Sequence, residues 1–69
     1  MRLSARNQIK GIVRSVNEGA TTAHVRVDIG GNQIVTASIT NEAVEDLALK
    51  PGSEVIVVVK ASDVMIGVE

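Results

Sequence analysis

From Ala23 to Ile29, apolar and polar side chains alternate without a break. Ala23, Val25, Val27 and Ile29 fall on one side, and His24, Arg26 and Asp28 on the other. A period of two marks a strand with one face in a core and the other in water. Gly30-Gly31-Asn32 follows at once and reads as a tight hairpin turn. A third strand, residues 33–40, should therefore return beside the second. Residues 4–16 alternate less cleanly and read as a preceding strand, polar at its start and bent or crowded near Gly11. Asn17-Glu18-Gly19-Ala20 is expected to be the turn between them, with Gly19 able to take positive φ.

The pattern then changes. Thr40 or Asn41 can cap a helix, the acidic residues Glu42, Glu45 and Asp46 suit its dipole, and Val44 and Leu47 recur at helical spacing. About two turns fit before Pro51-Gly52 marks another turn. Residues 54–60 form a near-continuous Val/Ile run, expected to be a strand buried on both faces. Ala61-Ser62-Asp63 interrupts it, and residues 64–68 read as a last short strand. Three strands, a short helix and two strands predict an all-β fold, a small five-stranded OB-like barrel with the helix between strands 3 and 4. Residues 1–69 read as a single domain, with no internal repeat and no linker to another.

A chain of 69 residues has little core to work with. It has no cysteine, so neither disulfides nor thiolate metal sites are open to it, and one histidine cannot build a zinc site. Oligomerisation is the remaining way to bury more surface, and 45% hydrophobic residues supply the material. Phe, Tyr and Trp are all absent, so β-branched Val and Ile must fill the core. OB barrels often bind single-stranded nucleic acid by stacking bases on aromatic side chains in a basic groove. A net charge of -1 and no aromatic side chain except His24 argue against that use and rank it last among the readings. No signal-peptide or membrane-spanning run is present, so a cytoplasmic location is expected.

No catalytic template fits. His24 lies mid-strand with no motif around it, the acids at 42, 45 and 46 belong to a helix start, and Gly30-Gly31 lacks the residues of a nucleotide loop. The chain is not expected to be an enzyme. What remains are small polar and cationic residues at element junctions: Ser4-Ala5-Arg6-Asn7-Gln8, Thr40-Asn41 and Lys60-Ala61-Ser62. Arg6 and Lys60 offer charge, Ser4 and Thr40 hydroxyls, and main-chain N–H groups further donors, which is what a bound oxyanion requires. Ala5, Ala43 and Ala61 are small enough to let the backbone approach a ligand. The same residues also read as a capped helix, a polar strand start and two solvated cations.

The Ser4–Gln8 motif, Ile39-Thr40, Leu49-Lys50-Pro51-Gly52, the Lys60-Ala61-Ser62 junction and Val64-Met65 together resemble the molbindin (Mop) family along the whole chain. These are molybdate-binding proteins built on one TOBE-type barrel. The resemblance implies a homohexamer, a trimer of dimers, holding molybdate or tungstate at subunit interfaces. Ser4, Ala5, Arg6, Lys60 and Ala61 would come from one subunit and Thr40 and Ala43 from its partner, with Ser62 as a further ligand. Ala43 departs from the pattern, since relatives can carry a serine there. A second oxyanion site of the family would fall at Gly19, Ala20, Thr21, Thr22 and Asn7. The implied role is intracellular storage or buffering of the oxyanion; the alternative is a structural oligomeric adaptor with no ligand.

Overall fold

The computed structural model describes residues 1–69. Four strands, β1 (Asn7–Glu18), β2 (Thr22–Gly30), β3 (Gln33–Thr40) and β4 (Glu54–Val59), form one antiparallel sheet in the order β3-β2-β1-β4. A six-residue helix, α1 (Asn41–Asp46), joins β3 to β4, and a 3-10 turn (Ala61–Asp63) follows β4. No helix is long and apolar enough to cross a membrane.

β1 is shared by two pairings. Its first half, Asn7 to Ile12, pairs with β4, and its second half, Ile12 to Glu18, with β2. A register shift between Val13 and Ser15 lets the strand bend from one partner to the other. Gly11 stands at this bend. A Cβ there would lie 2.5 Å from Val27 Cγ1 and 2.9 Å from the Asp28 carbonyl oxygen, so only glycine lets the strands approach this closely. The crowding expected near Gly11 is therefore present.

The alternation of β2 places its side chains as expected. Ala23, Val25 and Val27 are buried, Ile29 packs against them, and His24 and Arg26 face solvent. Val13 and Val44 complete a core of five buried residues. At the β2–β3 turn Gly30, Gly31 and Asn32 all take positive φ. Asp28 locks this corner, accepting from the Gly30 amide at 2.8 Å and from Arg14 at 2.9 and 3.1 Å. The Gly30 N–H bond first, then the Arg14 bonds, hold the Asp28 carboxyl below its ordinary pKa.

Thr40 caps α1, its Oγ1 accepting from the Ala43 amide at 3.0 Å. The helix ends on a left-handed residue, Ala48 at φ 51. Leu49 N–H donates to Val44 O and Ala48 N–H to Glu45 O, both at 3.0 Å. These are the two bonds of a Schellman motif, built here with alanine where glycine is usual. Gly52 of the Pro51-Gly52 turn takes φ 95, and its amide closes on Val13 O at 2.8 Å.

Several expectations need correction. The first strand begins at Asn7 and runs on through Glu18, because pairing with Ala23 and His24 extends the ladder over residues expected to turn. Gly19 is not at positive φ; its constraint is space, since a Cβ there would lie 3.0 Å from Thr22 O. Leu47 caps the C-terminus of α1 and is 66% exposed, since six residues give too few turns to bring it to the core. β4 is not buried on both faces. It is an edge strand, with Val55, Val57 and Val59 half-buried and Ile56 and Val58 each 43% exposed. Nor is there a fifth strand or a closed barrel in the chain. Residues 64–68 leave the 3-10 turn without meeting a sheet edge, and a strand without a neighbour has no ladder to form.

Candidate functional site

The β1–β4 register decides which motifs meet. Asn7 is opposite Val59, and its Nδ2 donates to Val59 O at 3.1 Å. Ser4, Ala5 and Arg6, just before Asn7, therefore lie at the same end of this strand pair as Lys60, Ala61 and Ser62, just after Val59. Gln8 Nε2 donates to Ala5 O at 3.1 Å and fastens the Ser4–Arg6 segment to the strand. The 3-10 turn uses the Lys60 carbonyl, which accepts from Asp63 N–H at 2.9 Å. The Ala61 and Ser62 amides make no hydrogen bond within the chain.

Charge at this end is unbalanced. The one ion pair of the chain is Arg14–Asp28, on another part of the sheet. Neither Arg6 nor Lys60 has a carboxylate within ion-pair distance, and both are exposed. Two cations, the Ser4 and Ser62 hydroxyls and two unpaired amides thus stand together at one strand-pair end. Such a set attracts an anion and offers it directional donors.

Thr40 and Ala43 are placed elsewhere. Thr40 is opposite Thr22 at the start of β2, beside the far end of β1. The twelve residues of β1 separate the two groups, and no hydrogen bond or ion pair joins them. The Thr40 oxygen is already an acceptor for Ala43 N–H, so its own O–H remains to donate outward. That bond also occupies the Ala43 amide. Ala43 can contribute small size to a site but no N–H donor.

The turn at residues 19–22 sits next to Thr40. Gly19 N–H donates to Thr22 O at 2.7 Å, and Asn41 pins the turn twice, through N–H to Thr21 O and Nδ2 to Gly19 O, both at 2.9 Å. The Ala20 and Thr21 amides have no partner within the chain. Within one chain Asn7 lies at the opposite end of β1, with its side-chain amide donating to Val59 O. Sequence reasoning does not find Asn41 as the link between the helix start and the turn. An Asx residue at a helix start is the only signal there, and it points equally to a cap, the part Thr40 takes. The Asn41 Oδ1 is buried and unpaired.

The chain is similar to known proteins along its whole length. A TOBE domain family model matches residues 3–66. The probable molybdenum-pterin-binding protein of Haemophilus influenzae is 44% identical over 69 residues, covering 100% of both chains. The structure of MopII from Clostridium pasteurianum superposes with a TM-score of 0.90 at 43% identity, covering 97% of this chain and 100% of that one. The cytoplasmic molybdate-binding protein ModG, solved with molybdate bound, gives a TM-score of 0.94 at 43% identity. This chain is covered completely in that match but spans only 49% of ModG.

Proposed function

The chain belongs to the TOBE domain family, and from that premise we propose that it binds molybdate, a tetrahedral dianion, reversibly and without chemistry. Tungstate, of the same shape and charge, fits the same donors. One observation carries the reading: Ser4-Ala5-Arg6 and Lys60-Ala61-Ser62, far apart in sequence, meet at one end of the β1–β4 pair with both cations unpaired. Relatives along the whole chain bear the name molybdenum-pterin-binding. A pterin ring would call for an aromatic platform, and this chain has no Phe, Tyr or Trp. The cations and hydroxyls gathered at the strand-pair end favour the oxyanion itself as the ligand.

The principal site combines Ser4, Ala5, Arg6, Lys60, Ala61 and Ser62 of one subunit with Thr40 and Ala43 of another. The split follows from their separation along β1, and a dianion held by one half alone would keep much of its hydration. The turn at Gly19, Ala20, Thr21 and Thr22 supplies a second, weaker set of amide donors, with Asn7 reaching it only from a neighbouring subunit. A homohexamer, a trimer of dimers, is the assembly that brings these pieces together. Only five residues are fully buried in the single chain, which leaves much apolar surface for such contacts. The role is intracellular storage or buffering of the oxyanion by the one domain of residues 1–69.

Calorimetry with molybdate, tungstate and sulfate tests this. Molybdate should bind wild-type protein well above sulfate, and Arg6→Ala should lose about 1.5 to 3 kcal/mol, one charge-assisted interaction. That is roughly a ten- to hundredfold rise in Kd. No heat with molybdate, or equal affinity for sulfate, refutes the reading in favour of a ligand-free structural adaptor.

A further inference from the structure

The turn between β1 and β2 sorts its polar groups by kind. Three of its carbonyl oxygens are engaged: Thr22 O by Gly19 N–H at 2.7 Å, Thr21 O by Asn41 N–H at 2.9 Å, and Gly19 O by Asn41 Nδ2 at 2.9 Å. The Ala20 and Thr21 amides have no acceptor within the chain, and both residues are exposed. Carbonyl oxygens repel an anion and amide hydrogens attract it, so a turn holds an anion best when its carbonyls are engaged elsewhere and its amides are free. Asn41 engages two of the three oxygens, one through its main chain and one through its side chain. The side-chain orientation is fixed by chemistry, since turning the amide over would set Oδ1 against Gly19 O, acceptor against acceptor. The Gly19 bond is kept even though it leaves Oδ1 buried without a partner, a costly arrangement for an acceptor.

We infer that Asn41 is a positioning residue for the second oxyanion site. By holding the Gly19 and Thr21 carbonyls it keeps these oxygens from the ligand and fixes the frame that carries the Ala20 and Thr21 amides. Asn41 itself touches no ligand and acts through the turn. The inference rests on the second site of the reading above and names the residue on which that site depends. The dependence is strong because residues 19–22 carry no charged side chain and Glu18 adjoins them. A tetrahedral dianion finds only amides and hydroxyls there, so two carbonyls left free would tell heavily against it. The effect is also confined to one class of site. Asn41 lies with Thr40 beside the far end of β1, whereas Lys60, Ala61 and Ser62 follow Val59 at the opposite end. Thr40 keeps its own bond to Ala43 N–H, which does not pass through the Asn41 side chain.

The test titrates the full, isotope-labelled chain with molybdate and follows individual amides by NMR. In wild type the Ala20 and Thr21 amides should shift and saturate, separately from the Ala61 and Ser62 amides of the principal site. In Asn41→Ala the Ala20 and Thr21 response should move to about three- to tenfold higher molybdate, the equivalent of one neutral hydrogen bond. The Ala61 and Ser62 response should keep its wild-type midpoint. Asn41→Asp has the same shape without the Nδ2 donor and adds negative charge, so it should lose the turn response altogether. A residue that merely supported the fold would weaken both sets of amides alike, and that outcome overturns the inference. An Ala20 and Thr21 response at wild-type concentrations in Asn41→Ala overturns it as well. In wild type alone, Ala61 and Ser62 moving while Ala20 and Thr21 stay still overturns it and leaves molybdate binding at the principal site standing. Molybdate that moves none of these amides refutes both the inference and the proposed function.

Discussion

Gly11→Ala is the sharpest test of the packing at the bend in β1. The added Cβ would meet Val27 Cγ1 at 2.5 Å, Asp28 O at 2.9 Å and Ile29 Cγ2 at 3.4 Å. Contacts between carbon atoms are optimal near 3.5 to 4.0 Å, so the first overlap is about 1 Å. Val27 cannot yield easily. It is 3% exposed, and its β-branched side chain has few rotamers available. The Asp28 carbonyl belongs to the backbone of the β1–β2 pairing and is held in place by the ladder. Replacing glycine restricts the unfolded chain and favours folding by about 0.4 to 1 kcal/mol, whereas overpacking a tight core costs about 1 to 3 kcal/mol. The clash should win by about 1 to 2 kcal/mol, and one kcal/mol shifts the Tm of a domain this small by about 4 to 8 °C. Thermal and urea unfolding at one fixed protomer concentration measure it, since an oligomer's midpoint depends on concentration. Adding Val27→Ala should recover part of the loss, so the double variant is less destabilised than the sum of the singles. An unchanged or raised Tm for Gly11→Ala, or strict additivity with Val27→Ala, would refute the close approach.

Ala48→Gly should stabilise the protein by a few tenths to about 1 kcal/mol, because alanine in the left-handed region is strained and glycine is not; a lower urea midpoint would contradict this. Thr40→Ala removes the α1 cap and should cost about 0.5 to 2 kcal/mol, with Thr40→Ser close to wild type in the same titration. Asn41→Ala frees the Gly19 carbonyl, so amide exchange at residues 19–22 should accelerate by NMR while exchange in β2 stays slow. Asp28 has a folded pKa below its unfolded value, so its contribution is present above the ordinary carboxylate range, about pH 4, and is lost as pH falls through the folded pKa. Urea midpoints followed downward from pH 6 should decline more steeply in wild type than in Asp28→Asn.

Local pattern and long-range pairing are not equally legible in the sequence. β2 can be read residue by residue because burial on one face and solvent on the other impose an alternation that nothing local disturbs. Thr40 as cap and the glycines at 30, 31 and 52 are legible for the same reason: a specific backbone geometry demands a specific residue type. The end of α1 is not, because Ala48 performs the glycine's part and carries no signal of its own. The all-apolar run of β4 misleads, since it resembles a strand buried on both sides. In this chain it is an edge strand whose Ile56 and Val58 are exposed. Residues 64–68 mislead in the same way: their composition forms strands, but no partner strand lies beside them in the same molecule.

The candidate site shows this limit in its strongest form. Each motif is visible as residue types, Ser4-Ala5-Arg6 at one junction and Lys60-Ala61-Ser62 at another, and the Asn7–Val59 pairing is what brings these two together. Thr40 is equally visible and ends up at the other end of β1. An isolated chain can thus offer an anion two exposed cations but cannot enclose it, and exposed charge pairs in water contribute little, on the order of 1 kcal/mol or less. In the proposed assembly the Thr40 hydroxyl of a second subunit would replace lost hydration on the far side of the ligand. Affinity for the dianion is on this account a property of the assembly. At the proposed interface the unpaired cations would repel one another when the site is empty, and a bound oxyanion would remove that repulsion. Ligand and subunit contacts should therefore strengthen one another, because the charge that recruits the ligand is the charge the empty interface would otherwise have to tolerate.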